Sequence, residues 1–75
     1  MSMIVWAAIL DNRYTVHVVR KQPYQGSLEV WENGVQLMQQ PVTLTYDARF
    51  GVDIGDMEQW TDVACNFVDK RKCLN

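Results

Sequence analysis

The sequence predicts an α+β domain: an antiparallel sheet of four to five strands with a single C-terminal helix packed on one face. Three observations predict it. Short apolar or alternating runs separated by turn residues fill positions 3–46. Asn33-Gly34 marks a tight hairpin. From Asp53 onward the apolar period becomes that of a helix. Strands followed by one terminal helix imply a sheet covered by that helix on one side.

The elements follow in order. Positions 3–10 are a continuous apolar run with β-branched and aromatic members, a strand of about eight residues. Asp11-Asn12 tolerates positive φ and reads as a two-residue turn. Positions 14–21 then alternate. With that turn, Ile9 faces Tyr14, Ala7 faces Val16 and Val5 faces Val18. Trp6 faces His17 and Ile4 faces Val19 on the opposite side. Gln22 to Gly26 breaks the pattern with Pro23 and Gly26. Positions 27–32 alternate again. Asn33-Gly34 suits a type I′ turn, whose two central residues both need positive φ. It sets Glu32 opposite Val35, Trp31 opposite Gln36 and Val30 opposite Leu37 over a strand at 35–39. Pro41 opens a fifth strand at 42–46, where a proline is tolerated at a strand start or sheet edge.

The helix is expected over about 54–71. Asp53 is its N-cap, and Asp56 three residues on resembles a capping box. Met57, Trp60, Ala64, Phe67 and Val68 form one apolar stripe. Acidic residues open the helix and Lys70-Arg71-Lys72 close it, which complements the helix dipole. The stripe is expected to cover Val5, Ala7, Ile9, Val16, Val18, Val30, Leu37 and Leu44.

A chain of 75 residues makes one small domain, and such domains often lean on a disulfide, a metal or a partner subunit. At 48% hydrophobic residues it is too apolar to be disordered. No apolar run reaches the length that spans a bilayer. Met1-Ser2-Met3 lacks the basic segment of a secretory signal, so a cytoplasmic location is expected. Cys65 and Cys73 fit that reading as free thiols; bridging them would require the helix to end before Cys73. The net charge of −2 disfavours binding to nucleic-acid backbones.

No catalytic constellation stands out. His17 is the one histidine, mid-strand beside Trp6, with no positioned partner for base catalysis. Asp47, Asp53 and Asp56 could hold a hard cation or serve a metal-dependent hydrolase, but their spacing matches no calcium loop, and capping accounts for Asp53 and Asp56. Gly51 and Gly55 lack the lysine of a phosphate cradle. Neither a cofactor nor a metal is expected.

The second sheet face is the more informative feature. It would carry Ile4, Trp6, Ala8, Leu10, His17, Val19, Trp31 and Met38, where a solvated face shows mostly polar residues. Such a surface is either a protein interface or buried by sheet curling or by the Pro23–Gly26 loop. The candidate partner-binding residues are Trp6, His17, Val19, Trp31 and Met38, with a rim of Arg20, Glu29 and Asp47.

The stretch Tyr46-Asp47-Ala48-Arg49-Phe50-Gly51, followed by Asp53, Asp56 and Trp60, resembles a segment of small hypothetical bacteriophage proteins. In size, acidity and layout the chain is also similar to small phage inhibitors of bacterial defence, including anti-CRISPR proteins. That resemblance implies a non-enzymatic, steric inhibitor of a host protein in the bacterial cytoplasm and carries over no functional residue. Three functions are therefore expected in order. The first is a protein-binding module whose partner is a host protein or a second copy in a homodimer. The second is a binder of a small molecule or signalling nucleotide using Arg13, Arg20 and Arg49 beside a tryptophan. The third is a hydrolase built on Asp47, Asp53 and Asp56.

Overall fold

The computed structural model describes residues 3–73. It contains β1 (Met3–Leu10), β2 (Tyr14–Gln22), β3 (Gln25–Glu32), β4 (Val35–Thr43) and α1 (Ile54–Cys73). The strands form one antiparallel sheet in the order β1-β2-β3-β4. The α+β class is as the sequence predicts. The fifth strand is not separate: Val42 and Thr43 extend β4 straight through Pro41, and Leu44 to Tyr46 lie outside the sheet. Proline is accommodated because β4 is an edge strand.

The Asn33-Gly34 turn forms as expected, with φ of 53° and 79°. It pairs Glu32 with Val35 and Trp31 with Gln36. The expected Val30–Leu37 pair is replaced by Val30–Met38, because Leu37 is bulged out of register. At the first hairpin, Asp11 and Asn12 do adopt positive φ, 55° and 52°, and the Arg13 amide donates to the Leu10 carbonyl at 3.0 Å. Yet Leu10 pairs with Tyr14, so Arg13 is one residue more than the expected turn. That single residue shifts β1 by one and turns its side chains to the other face. Trp6 therefore pairs with Val18, Ala8 with Val16, Ala7 with His17 and Ile9 with Thr15. A second bulge, at Val5, restores the expected Ile4–Val19 pair.

The core contains Tyr14, Val16 and Val18 from β2, Leu28 and Val30 from β3, Leu44, and Trp60, Ala64 and Val68 from α1. Trp6, Leu10, Leu37, Met38, Met57 and Phe67 pack against it, half-buried. The helix stripe and the alternating residues of β2 and β3 thus meet in one cluster. Ala7 and Ile9, expected in it, are exposed, Ile9 at 69%. Trp6 and Trp60 meet as a tilted aromatic pair with ring centroids 5.8 Å apart.

Asp53 caps α1: its carboxylate accepts from the Asp56 amide at 3.2 Å. Asp56 does not complete a capping box. Its carboxylate instead accepts from the Thr45 amide at 2.8 Å and the Thr45 hydroxyl at 2.9 Å, tying the segment after β4 to the helix start. The far end continues to Cys73, with Cys65 and Cys73 both free thiols. Lys72 pairs with Asp11 in the first turn, and Arg71 lies 3.9 Å from Glu32, which also pairs with Arg13. The basic cluster therefore does more than answer the helix dipole; it fastens the helix end to two hairpins.

Candidate functional site

Three cross-strand rows make up the sheet face opposite the core. Ile9, Thr15, Trp31 and Gln36 form the first. Ala7, His17, Glu29 and Gln39 form the second. Ile4, Val19, Ser27 and Pro41 form the third. The β1 side of this face is apolar and open to solvent, with Ile4 54% and Ile9 69% exposed and Ala7 exposed between them. The β3 and β4 side is polar apart from Trp31 and Pro41. Trp31 is half-buried, and its indole N–H donates to the Glu29 carboxylate at 3.0 Å, which fixes the ring against its own strand.

Of the residues expected on this face, His17, Val19, Glu29 and Trp31 are there together. Trp6 and Met38 are not: the bulges at Arg13 and Leu37 turn both toward the core. Ala8 and Leu10 move with Trp6. His17 consequently lies between Ala7 and Glu29 rather than beside Trp6. Arg20 is not on a rim either. It pairs with Met3 and Gly26 on the helix side and is 8% exposed. Ala7 and Ile9 are the residues that sequence reasoning missed. A run without alternation carries no mark of which face is which, so only the identity of Trp6, the largest side chain of β1, hinted at the register. The Pro23–Gly26 segment does not fold across the face: Pro23 and Tyr24 make a tight turn, and Gly26 belongs to β3.

A second feature lies at one end of the sheet. A cleft of about 400 Å³ is lined by Met3, Arg20, Lys21, Pro23, Asp47 and Arg49, among others. One Arg20 amino group, Nη1, donates to the Pro23 carbonyl and, at 3.1 Å, to the Tyr46 carbonyl. Asp47 accepts from the Arg49 amide at 2.9 Å and from the Arg49 guanidinium at 2.8 Å and 3.1 Å. These bonds to Arg49, helped by the charge of Arg20, hold the Asp47 carboxyl below the usual aspartate range. Of the three arginines that a small-molecule binder would need together, Arg20 and Arg49 line one cleft, but Arg13 is at Glu32 instead, and no tryptophan lines the cleft.

The three aspartates of the hydrolase reading each have a separate partner: Arg49 for Asp47, the helix amide for Asp53 and Thr45 for Asp56. Among the described residues no group of three or more His, Cys, Asp or Glu is placed to hold a metal ion. No helix among them is long and apolar enough to cross a membrane.

Fold and site together define a small α+β domain whose edge strand β1 exposes Ile4, Ala7 and Ile9. In comparisons with known proteins, no family model, no curated protein and no solved structure matches the chain.

Proposed function

We propose that this chain is a non-enzymatic protein-binding module that blocks a host protein sterically. The observation that carries the reading is the open sheet face, where Ile4, Ala7 and Ile9 stand exposed on an edge strand beside Val19, His17 and Trp31. Exposed apolar area bordered by Glu29, Gln36 and Gln39 has the composition of an interface centre with a polar rim. The edge strand adds unpaired backbone groups that a partner strand can meet. The resemblance of the Tyr46–Trp60 segment to phage proteins supports a bacterial host cytoplasm as the setting, and the separate similarity in size, acidity and layout to phage inhibitors of defence supports a defence protein as the target. A second copy of the chain is the competing partner.

The test is capture from host lysate by the tagged protein and by an Ile4→Lys/Ile9→Lys variant, with light scattering on both. Two lysines on an exposed face are expected to leave the fold intact and abolish capture. Capture that survives in a folded variant places the interface elsewhere. A dimer that the variant converts to monomer identifies the partner as self.

A further inference from the structure

We propose that the cleft between the β2–β3 turn and the 47–49 loop binds the phosphate group of a small phosphorylated molecule, with Arg20 at its floor and Lys21 and Arg49 at its rim. This is independent of the open sheet face. Arg20 is the decisive residue. The residue is only 8% exposed, yet no carboxylate of the described residues lies within ion-pair distance of it. Nη1 is taken up by two carbonyl oxygens, which are neutral acceptors. Nε is buried and has no partner among the described residues. A buried guanidinium with no carboxylate in direct contact, Asp47 acting on it only from a distance, is costly, and a guanidinium offers its donors to an oxyanion in a fixed fork.

The surroundings add to the same field. Lys21 is the bulged residue between Arg20 and Gln22 and lines the same cleft. Arg49 lines it from the loop, with its side chain 79% exposed. Against these three cations stands one carboxylate, Asp47, whose oxygens are held by Arg49. The local excess of about two positive charges, in a chain of net charge −2, matches a phosphate monoester, which carries about −1.5 to −2 near neutral pH. A single carboxylate would leave part of that excess unanswered. At about 400 Å³ the cleft has the size of a small-molecule site, and Met3 and Pro23 supply apolar wall for the organic part.

Amide-resolved NMR titrations with inorganic phosphate, phenyl phosphate and acetate test the site, each against sodium chloride at matched ionic strength. Saturable shifts of the Lys21, Gln22, Ala48 and Arg49 amides are expected with both phosphates, phenyl phosphate being the tighter. In a Lys21→Gln/Arg49→Gln variant, whose changes are exposed, affinity is expected to fall about tenfold or more from the loss of two charge-assisted contacts. Non-saturating shifts, equal shifts with chloride, unchanged affinity in the double variant, or acetate binding as tightly as phosphate would each overturn the proposal. Arg20→Lys keeps the charge and removes the fork. If it folds and binds phosphate as well as the parent, Arg20 is not the floor; if it does not fold, the double variant decides alone.

Discussion

Trp60 is the largest of the fully buried side chains and the partner of Trp6. Trp60→Ala is expected to cost about 3–5 kcal/mol, a large share of the roughly 5–15 kcal/mol that holds a small domain together. Trp6 is half-buried, so Trp6→Ala is expected to cost less, about 1–3 kcal/mol, while Ile9→Lys on the open face is expected to stay within about 0.5 kcal/mol. Urea midpoints check the order. The reverse order, with Trp6→Ala neutral and Ile9→Lys destabilising, would mean that β1 carries the register the sequence suggests rather than the one described. At Gly26 a Cβ would run into the Val19 carbonyl oxygen, which is backbone and has little room to yield. Gly26→Ala is expected to destabilise by about 1–3 kcal/mol for that reason. Asp47 supplies a pH dependence. Its folded pKa lies below its unfolded one, so its contribution is complete above the unfolded value and is lost as pH falls through the folded value. A carbon-detected titration of Asp47 is expected to place its midpoint below that of an unstructured aspartate, and Arg49→Gln is expected to move it back up.

The helix depends on two aspartates with different tasks. Asp53 satisfies a backbone amide at the helix start, and Asp56 accepts two hydrogen bonds from Thr45. Asp53→Ala is expected to cost about 1 kcal/mol as a lost cap. Asp56→Ala is expected to cost a similar amount, and also to raise hydrogen exchange at the Thr45 amide, which Asp53→Ala leaves protected. The cap was legible in the sequence because capping is a local pattern of a few residues. The role of Asp56 was not, because its partner is eleven positions away along the chain and reaches it only through the fold. Strand boundaries divide in the same way. Asn33-Gly34 sets its own turn, since both residues must adopt positive φ. Asp11-Asn12 adopts the expected backbone but does not set the register, because Arg13 can be bulged without a local penalty and can then reach Glu32 and the Tyr14 ring.

Across the whole molecule, the two ends of the sheet are held differently. At the first-turn end, Lys72–Asp11 and the Arg13–Glu32–Arg71 group join helix to hairpins by exposed or partly exposed ion pairs. At the opposite end the Arg20 guanidinium joins the β2–β3 turn to the segment after β4 by hydrogen bonds to two carbonyls. The exposed pairs are screened by salt and worth little individually. Raising salt is therefore expected to change the thermal midpoint only slightly while weakening phosphate at the Arg20 cleft, a contrast that a titration at two ionic strengths reads directly. Between these ends lies the open face. There His17, Val19, Glu29 and Trp31 fall where alternation in β2 and β3 put them, whereas the β1 contribution changed from Trp6 to Ala7 and Ile9.

The α+β class, the helix with its cap and stripe, the Asn33-Gly34 turn and the faces of β2 and β3 were determined by the sequence alone. Each is written in local periodicity or in residues with special backbone freedom, which act over a few positions. The face of β1, the merging of 35–43 into one strand, the partners of Asp56 and the gathering of Arg20, Lys21 and Arg49 were decided only by the tertiary structure. A uniformly apolar strand has two faces of nearly equal hydrophobicity, so packing chose between them, and burying Trp6 against Trp60 removes more apolar surface from water than burying Ala7 and its neighbours would.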